Sequence, residues 1–207
     1  MDWSLKLIDP PDVEPFTEVV EGSTVPKDAK LFLRVDHNDE DVLIKSYIAA
    51  VRSFCENWQN RAYITQEWRL TLDNFPNRDY ILIPRPPLQS IETFTYKDKD
   101  GDTHNFEDYE VDTDSEPGRV YLSPNKEWPT VDLFPKAAVT IEFKAGYGDD
   151  ADNIPEEKMQ AMRLLLGEWY EMREAVIVGS IVNELPFAVE SLMWQDRIFP
   201  FHPAGEE

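Results

Sequence analysis

The sequence predicts an α+β fold: an N-terminal amphipathic helix, a central antiparallel sheet of hairpins and C-terminal helices, with extended N- and C-terminal arms. Three observations predict it. Apolar residues recur at three- and four-residue steps over residues 39–59, alternate with polar residues from residue 64, and return to a helical period beyond Gly146. The connections between the strand-like pieces are too short for crossover helices, so we expect mainly antiparallel pairing.

The first helix is predicted over residues 39–59. Asn38 and Asp39 can cap its start, and its apolar stripe contains the single cysteine, Cys55. Prolines and scattered acids before it favour an extended arm over residues 1–35, with a short strand near residues 31–33.

The clearest strand covers residues 64–73, where apolar and polar side chains alternate. One face of this strand carries Ile64, Gln66, Trp68, Leu70 and Leu72. Further strands are predicted between turn-forming segments, at residues 80–83, 91–96, 109–111, 120–122 and 139–143.

Two helices are predicted after the sheet. One begins at Pro155, which suits a first helical turn, and runs through Glu174. A short one covers residues 187–195 and is followed by an aromatic tail. We therefore expect a single α+β domain over residues 36–195 and a C-terminal tail over residues 196–207.

Composition excludes several functions. The chain has 207 residues and 20 Lys and Arg against 41 Asp and Glu, a net charge of −21, which disfavours binding to a phosphate backbone or an anionic membrane. A hydrophobic fraction of 42% predicts a folded chain. One cysteine allows no intrachain disulfide, and no apolar run approaches the ~20 residues of a membrane span. We expect a soluble protein of a reducing compartment such as the cytosol.

Two acidic motifs imitate metal sites. Residues 147–150, Tyr-Gly-Asp-Asp, look like the Tyr-x-Asp-Asp of template-directed polymerases, but they lead directly into a helix start and so favour a solvated acidic loop.

Residues 97–102 carry acids at alternate positions, as a calcium-binding loop does. An EF-hand loop counted from Asp98 lacks the required Gly and Glu positions, so we predict a hairpin turn in which Asp100 and Gly101 supply the positive φ angles.

No catalytic residue, cofactor or metal site is predicted. The three histidines, His37, His104 and His202, stand far apart without ligand spacing, and Cys55 lies in an apolar stripe. A small carboxylate-dependent hydrolase stays an alternative because acids are abundant, although no acid stands in an apolar neighbourhood that would raise its pKa.

Negative charge is concentrated in one region. Residues 92–116 contain ten acids against Lys97 and Lys99, so this region carries −8 of the total charge. It forms either a solubilising surface or a directed negative face that repels an anion.

Several motifs occur in the order found in the head-to-tail connector, or head-completion adaptor, proteins of tailed bacteriophages, which this chain resembles over about residues 31–195. The first are Ile64-Thr65-Gln66, Trp68-Arg69-Leu70-Thr71-Leu72-Asp73, Phe75-Pro76, Ile83-Pro84-Arg85-Pro86-Pro87-Leu88-Gln89-Ser90-Ile91, Asp100-Gly101 and Tyr109-Glu110-Val111-Asp112. The later ones are Pro117-Gly118-Arg119-Val120, Val139-Thr140-Ile141, Ala145-Gly146-Tyr147-Gly148, Trp169-Tyr170-Glu171, Arg173-Glu174-Ala175 and Leu185-Pro186-Phe187-Ala188-Val189-Glu190-Ser191-Leu192.

The resemblance implies a structural virion component with no catalytic residues. Such adaptors combine a helical bundle with a β-rich portion, and they form a ring, commonly dodecameric, beneath the portal protein. The ring extends the DNA channel toward the stopper or tail-proximal protein, and DNA passes without specific binding. The implied location is the virion head–tail junction, with the host bacterial cytoplasm during assembly.

Two sets of candidate residues follow from the resemblance. Acids that would line the channel are Asp98, Asp100, Asp102, Asp108, Asp149, Asp150 and Asp152. Apolar residues that would dock on the portal, since aromatic side chains are favoured interface anchors, are Leu185, Phe187, Trp194, Ile198, Phe199 and Phe201. The alternatives are that the acids face outward and that the apolar residues pack on the chain's own helices.

A different class of function is an acidic DNA mimic or other protein-binding module, which would share the pI near 4.4. A mimic would space its carboxylates along one face like phosphates, whereas the acids here gather in turns and loops.

Overall fold

The computed structural model describes residues 2–11, 14–16, 27–172 and 186–204, and its fold is α+β as predicted. The strands are β1 Trp3–Asp9, β2 Gln66–Leu72, β3 Tyr80–Leu82, β4 Leu88–Lys97, β5 Thr103–Asn105, β6 Tyr109–Asp112, β7 Arg119–Leu122 and β8 Val139–Ala145. The helices are α1 Lys27–Leu33, α2 Asp41–Gln59, α3 Glu156–Glu171 and α4 Phe187–Trp194, with a 3-10 helix at Ala151–Asn153.

The chain divides into two compact units. We call residues 1–11, 60–147 and 198–207 the β-unit, and residues 12–59 and 148–197 the helical unit. The arm, domain and tail boundaries expected from the sequence stay a prediction.

The β-unit is built from two antiparallel sheets. The larger has the strand order β1-β2-β8-β4-β5, and the smaller has the order β3-β7-β6. The face of β2 that the alternation predicted to be apolar is turned to the core. On this face Leu70 pairs with Ile141 of β8, and both are fully buried. The strong alternation of these central strands reflects the burial of one sheet face.

Aromatic rings fill part of the core of the β-unit. Phe75 stacks on Trp128 with ring centroids 5.2 Å apart, and Phe94 lies 5.0 Å from Phe106 and 5.3 Å from Tyr109. These rings come from β4, β6 and the loops around them, so their packing in the core stabilises the hairpins.

The helical unit is organised around α3, which packs against α1, α2 and α4. The predicted stripe of α2 is confirmed, since Ile44, Ile48, Val51 and Cys55 are buried. Burial raises the pKa of the Cys55 thiol to about 12, with a smaller contribution from the neighbouring Glu56 carboxylate. The thiol therefore stays protonated and unreactive.

Residues 31–33 form the end of α1, so the prediction of a strand there was wrong. Three consecutive apolar residues are too few to distinguish a period of two from a helical one. The helix is fixed by contacts that lie far along the chain: the buried Lys30 Nζ is 2.6 Å from Asp41 Oδ1, and Phe32 lies against Gly167 of α3.

Candidate interaction surfaces

The helix α4 presents aromatic side chains at its two ends. Pro186 precedes its first residue, and Val189 and Met193 are buried on one side. Phe187 is 85% exposed and Trp194 is 53% exposed. The short helix therefore buries an aliphatic face and leaves large aromatic area at the surface.

Trp194 is partly held by its own unit. Its ring makes an edge-to-face contact with Trp58 at 5.8 Å, and the Arg197 guanidinium lies 4.4 Å from the centroid of the Trp58 ring. Trp194 thus packs on a helix of its own unit and still exposes half its surface, and its docking on the portal stays a prediction.

The tail is fastened to the β-unit. Arg78 Nη2 and the backbone N–H of Leu82 donate to the Pro203 carbonyl at 2.7 and 2.9 Å, and Asn60 Nδ2 donates to the Ile198 carbonyl at 2.8 Å. Ala204 joins the hydrophobic core. These bonds present Phe199 at the surface, where it is 63% exposed.

The six predicted docking residues fall into separate places. Phe187 and Trp194 belong to the helical unit, whereas Ile198, Phe199 and Phe201 belong to the β-unit, where Ile198 and Phe201 are half-buried. Leu185 lies outside the described residues.

A groove of about 390 Å³ lies in the β-unit beside the tail. Its wall includes Trp3 and Leu5 of β1, Trp68 of β2, and Arg85, and on the tail side Ile198, Phe199, Pro200 and Phe201. The Arg85 guanidinium lies 5.0 Å from the centroid of the Trp68 ring. The groove thus combines aromatic surface with a cation.

Asp98 stabilises the turn of the β4–β5 hairpin. Its Oδ1 accepts the backbone N–H groups of Asp100 and Asp102, both at 3.0 Å, and its Oδ2 lies 2.7 Å from His104 Nε2. The hydrogen bond with His104 holds the pKa of Asp98 below its ordinary value, helped by the backbone donors. Of residues 98–102 only Gly101 has a positive φ, +91°, so the prediction that Asp100 also supplies one was wrong. The hydrogen bonds to the Asp98 carboxylate stabilise the turn in addition to the positive φ of Gly101.

The other candidate acids of the channel are exposed. Asp100 and Asp102 sit on the hairpin turn, and Asp108 pairs with Lys126 at 2.8 Å. In the helical unit Asp149, Asp150 and Asp152 surround the start of the 3-10 helix.

Asp150 is the residue that precedes the 3-10 helix. Its backbone N–H donates to Asn153 Oδ1 and its carbonyl accepts the N–H of Asn153, both at 3.1 Å. This agrees with the predicted acidic loop.

Within the described ranges no group of three or more His, Cys, Asp or Glu side chains is placed to hold a metal ion. Nor is any helix there long and apolar enough to cross a membrane.

Comparison with known proteins decides the family. The profile of the head completion protein family matches residues 25–179, which is most of the chain. This chain is a member of the head completion protein family. The resemblance to head-to-tail connector proteins is thereby confirmed, and the role of this head completion protein is structural.

Solved structures share the fold. A chain from the neck of an empty gene transfer agent (GTA) particle computed with C6 symmetry is 22% identical, with a TM-score of 0.73 over 95% of this head completion protein and 96% of that chain. A chain of the native GTA virion gives 22% identity and 0.72 over 95% and 96%. A chain from the native GTA neck computed with C12 symmetry gives 23% and 0.66 over 89% and 95%. No curated protein matches.

The sequence reasoning missed the groove and the role of β1 in this head completion protein. Trp3, Leu5 and Leu7 alternate with Ser4 and Lys6, a period-two signal like that of β2. This alternation is present in the sequence, but it lies within residues 1–35, where the prolines that follow it favour an extended arm.

Proposed function

We propose that this head completion protein is a connector adaptor that assembles as a ring, dodecameric in the virion, beneath the portal protein. The ring extends the DNA channel toward a stopper or tail-proximal protein at the head–tail junction. The observation that carries the proposal is the family match over residues 25–179. The necks of the fold relatives, computed with C6 and C12 symmetry, support a ring.

The charge of the chain suits a channel component. A ring of chains that each carry −21 repels phosphates, so DNA can pass without adhering to the wall. The exposed acids of the hairpin turn and of the 3-10 helix start supply this charge at the lumen. The protein has no enzymatic role, requires no cofactor or membrane, and is assembled in the host bacterial cytoplasm.

The residues that dock on the portal are the exposed aromatic side chains of α4 in the helical unit and, separately, those of the tail in the β-unit. Replacing Phe187 or Phe199 by Ser is expected to weaken binding to the portal protein by about thirtyfold each, because each removes a large anchor. The measurement is the dissociation constant for purified portal protein of the same particle.

Phe134→Ser is the matched control, because Phe134 is also an exposed phenylalanine but lies outside the docking set. Point variants are preferable to removal of residues 196–207, which would also break the Pro203 bonds to Arg78 and Leu82. Equal affinities for all three variants and the wild type would contradict the docking surface.

The channel role predicts an effect of charge reversal on DNA exit. Two exposed acids from each unit are changed to Lys: Asp100, Asp102, Asp149 and Asp152. Particles assembled with this variant should eject DNA about tenfold more slowly, because the lumen then attracts phosphates. The slowing should weaken as salt rises.

The control reverses two exposed acids from each unit that are not channel candidates: Asp36, Asp39, Asp79 and Glu127. It changes the net charge equally, so a normal ejection rate is expected. The same slowing in both variants would place the candidate acids outside the lumen.

A further inference from the structure

The strand β1 leaves a long edge of the sheet open. It pairs with β2 from Trp3 opposite Leu72 to Asp9 opposite Glu67, and no other strand adjoins it in the described part of the chain. All its residues except Leu5 are exposed. Alternate peptide groups of an edge strand point outward and can pair with another chain.

The other strand edges of the β-unit offer less. β5 has three residues, β6 has four, and Leu82 of β3 donates its N–H to the Pro203 carbonyl of the tail. β1, with seven residues, is therefore the longest open edge among the described strands.

The core-facing side of β1 is apolar but incompletely covered. Trp3, Leu5 and Leu7 form one row, and Trp3 and Leu7 are 39% and 37% exposed. Leu7 lies opposite Trp68, whose buried Nε1 has no hydrogen-bond partner among the residues that the structure describes. The exposed parts of Trp3 and Leu7 are apolar area that a second chain could cover.

The charge around β1 indicates which chain would pair with its open edge. Residues 3–8 contain no acid and one cation, Lys6, and Arg85 stands in the adjoining groove, although the whole chain carries −21. Two copies repel each other least where one presents this stretch, which lies between Asp2 and Asp9 and contains no acid itself. The complementary surface is in the same unit: the edge strand β6 with its flanks, residues 107–114, has five acids and the exposed Val111.

We propose that the open edge of β1, with its apolar row, pairs with a strand of a second copy of this chain, with the acidic strand β6 as the counterpart. The contact joins two different surfaces, and such heterologous contacts generate rings where the rotation between subunits closes. This inference rests on the proposed ring adaptor and names the surface that joins its subunits.

Hydrogen–deuterium exchange on the full chain at low and high concentration tests the pairing, with mass measured in parallel. We expect concentration-dependent oligomers in which the amides of β1 and β6 exchange more slowly. Leu7→Glu should lower the association constant about tenfold or more, because it places an acid in the apolar row. Lys6→Glu, at a fully surface position, should lower it as well.

Val131→Glu is the control, because Val131 is an exposed apolar residue of the β-unit away from β1. It should leave association unchanged. A chain that stays monomeric at every concentration, oligomers with unchanged β1 exchange, or equal effects of the Leu7 and Val131 variants would each overturn the proposal.

Portal protein separates this inference from the proposed function. Protection of β1 that appears only when portal protein is added would mean that the portal fills this edge, and the second-copy pairing would be wrong while the adaptor role stands. Absence of portal binding by a chain that forms β1-paired oligomers would contradict the adaptor role instead.

Discussion

Gly146→Ala is expected to lower the free energy of unfolding by about 3 kcal/mol or more. Gly146 has φ +139°, a conformation that residues with a side chain rarely adopt. A Cβ atom there would lie 2.5 Å from the carbonyl carbon of Ile64 and 2.6 Å from the Thr65 nitrogen. These are backbone atoms, so no side-chain rotation relieves the overlap.

The backbone around Gly146 cannot easily shift either. The Gly146 N–H donates to the Pro87 carbonyl at 2.9 Å, its carbonyl accepts from Gln89 Nε2 at 2.8 Å, and the Tyr147 N–H donates to Tyr63 at 3.0 Å. Moving the glycine away from Ile64 therefore breaks hydrogen bonds. This gives a steric reason for the Ala-Gly-Tyr-Gly motif on which the family resemblance partly rested.

Gly101→Ala is the control. Gly101 also has a positive φ, but a Cβ there meets nothing within 4 Å. It should cost about 1 kcal/mol, from backbone strain alone. Urea denaturation followed by circular dichroism measures both. A Gly146 variant as mild as the Gly101 variant would show that the segment next to Ile64 relaxes freely.

The central strands and the main helices could be predicted because their signals are local. In β2 and β8 one face is buried, so alternation is enforced residue by residue, as at Leu70 and Ile141. α2 has a continuous buried stripe over 19 residues, long enough for its period to be unambiguous.

What could not be predicted depends on partners distant in the chain. Trp3 pairs with Leu72, and Lys30 is buried against Asp41. The residues next to Trp3 and Lys30 in the sequence do not indicate either partner. The candidate surfaces show the same division. An acidic turn could be foreseen at Asp98, but the use of its carboxylate by the turn itself depends on where His104 is placed by β5.

Phe94→Ala is expected to lower the free energy of unfolding by about 3–5 kcal/mol. Phe94 is buried in the middle of β4, and its ring centroid lies within 6.3 Å of those of Phe75, Phe106, Tyr109 and Trp128. Truncation removes the transfer free energy of the ring and leaves a cavity that four bulky rings cannot easily fill. The edge-to-face contact with Phe106 is lost as well.

Phe134→Ala removes the same atoms from an exposed loop position and should cost less than about 1 kcal/mol. Thermal and urea unfolding of both variants supply the comparison, and similar losses would mean that the ring cluster contributes little. Total stabilities of 5–15 kcal/mol are typical, so the Phe94 loss is a large fraction of the whole. Because β4 leads directly into the hairpin turn at Asp98, amide exchange there should accelerate more in Phe94→Ala than in Phe134→Ala, which keeps the backbone bond from Phe134 to Lys97.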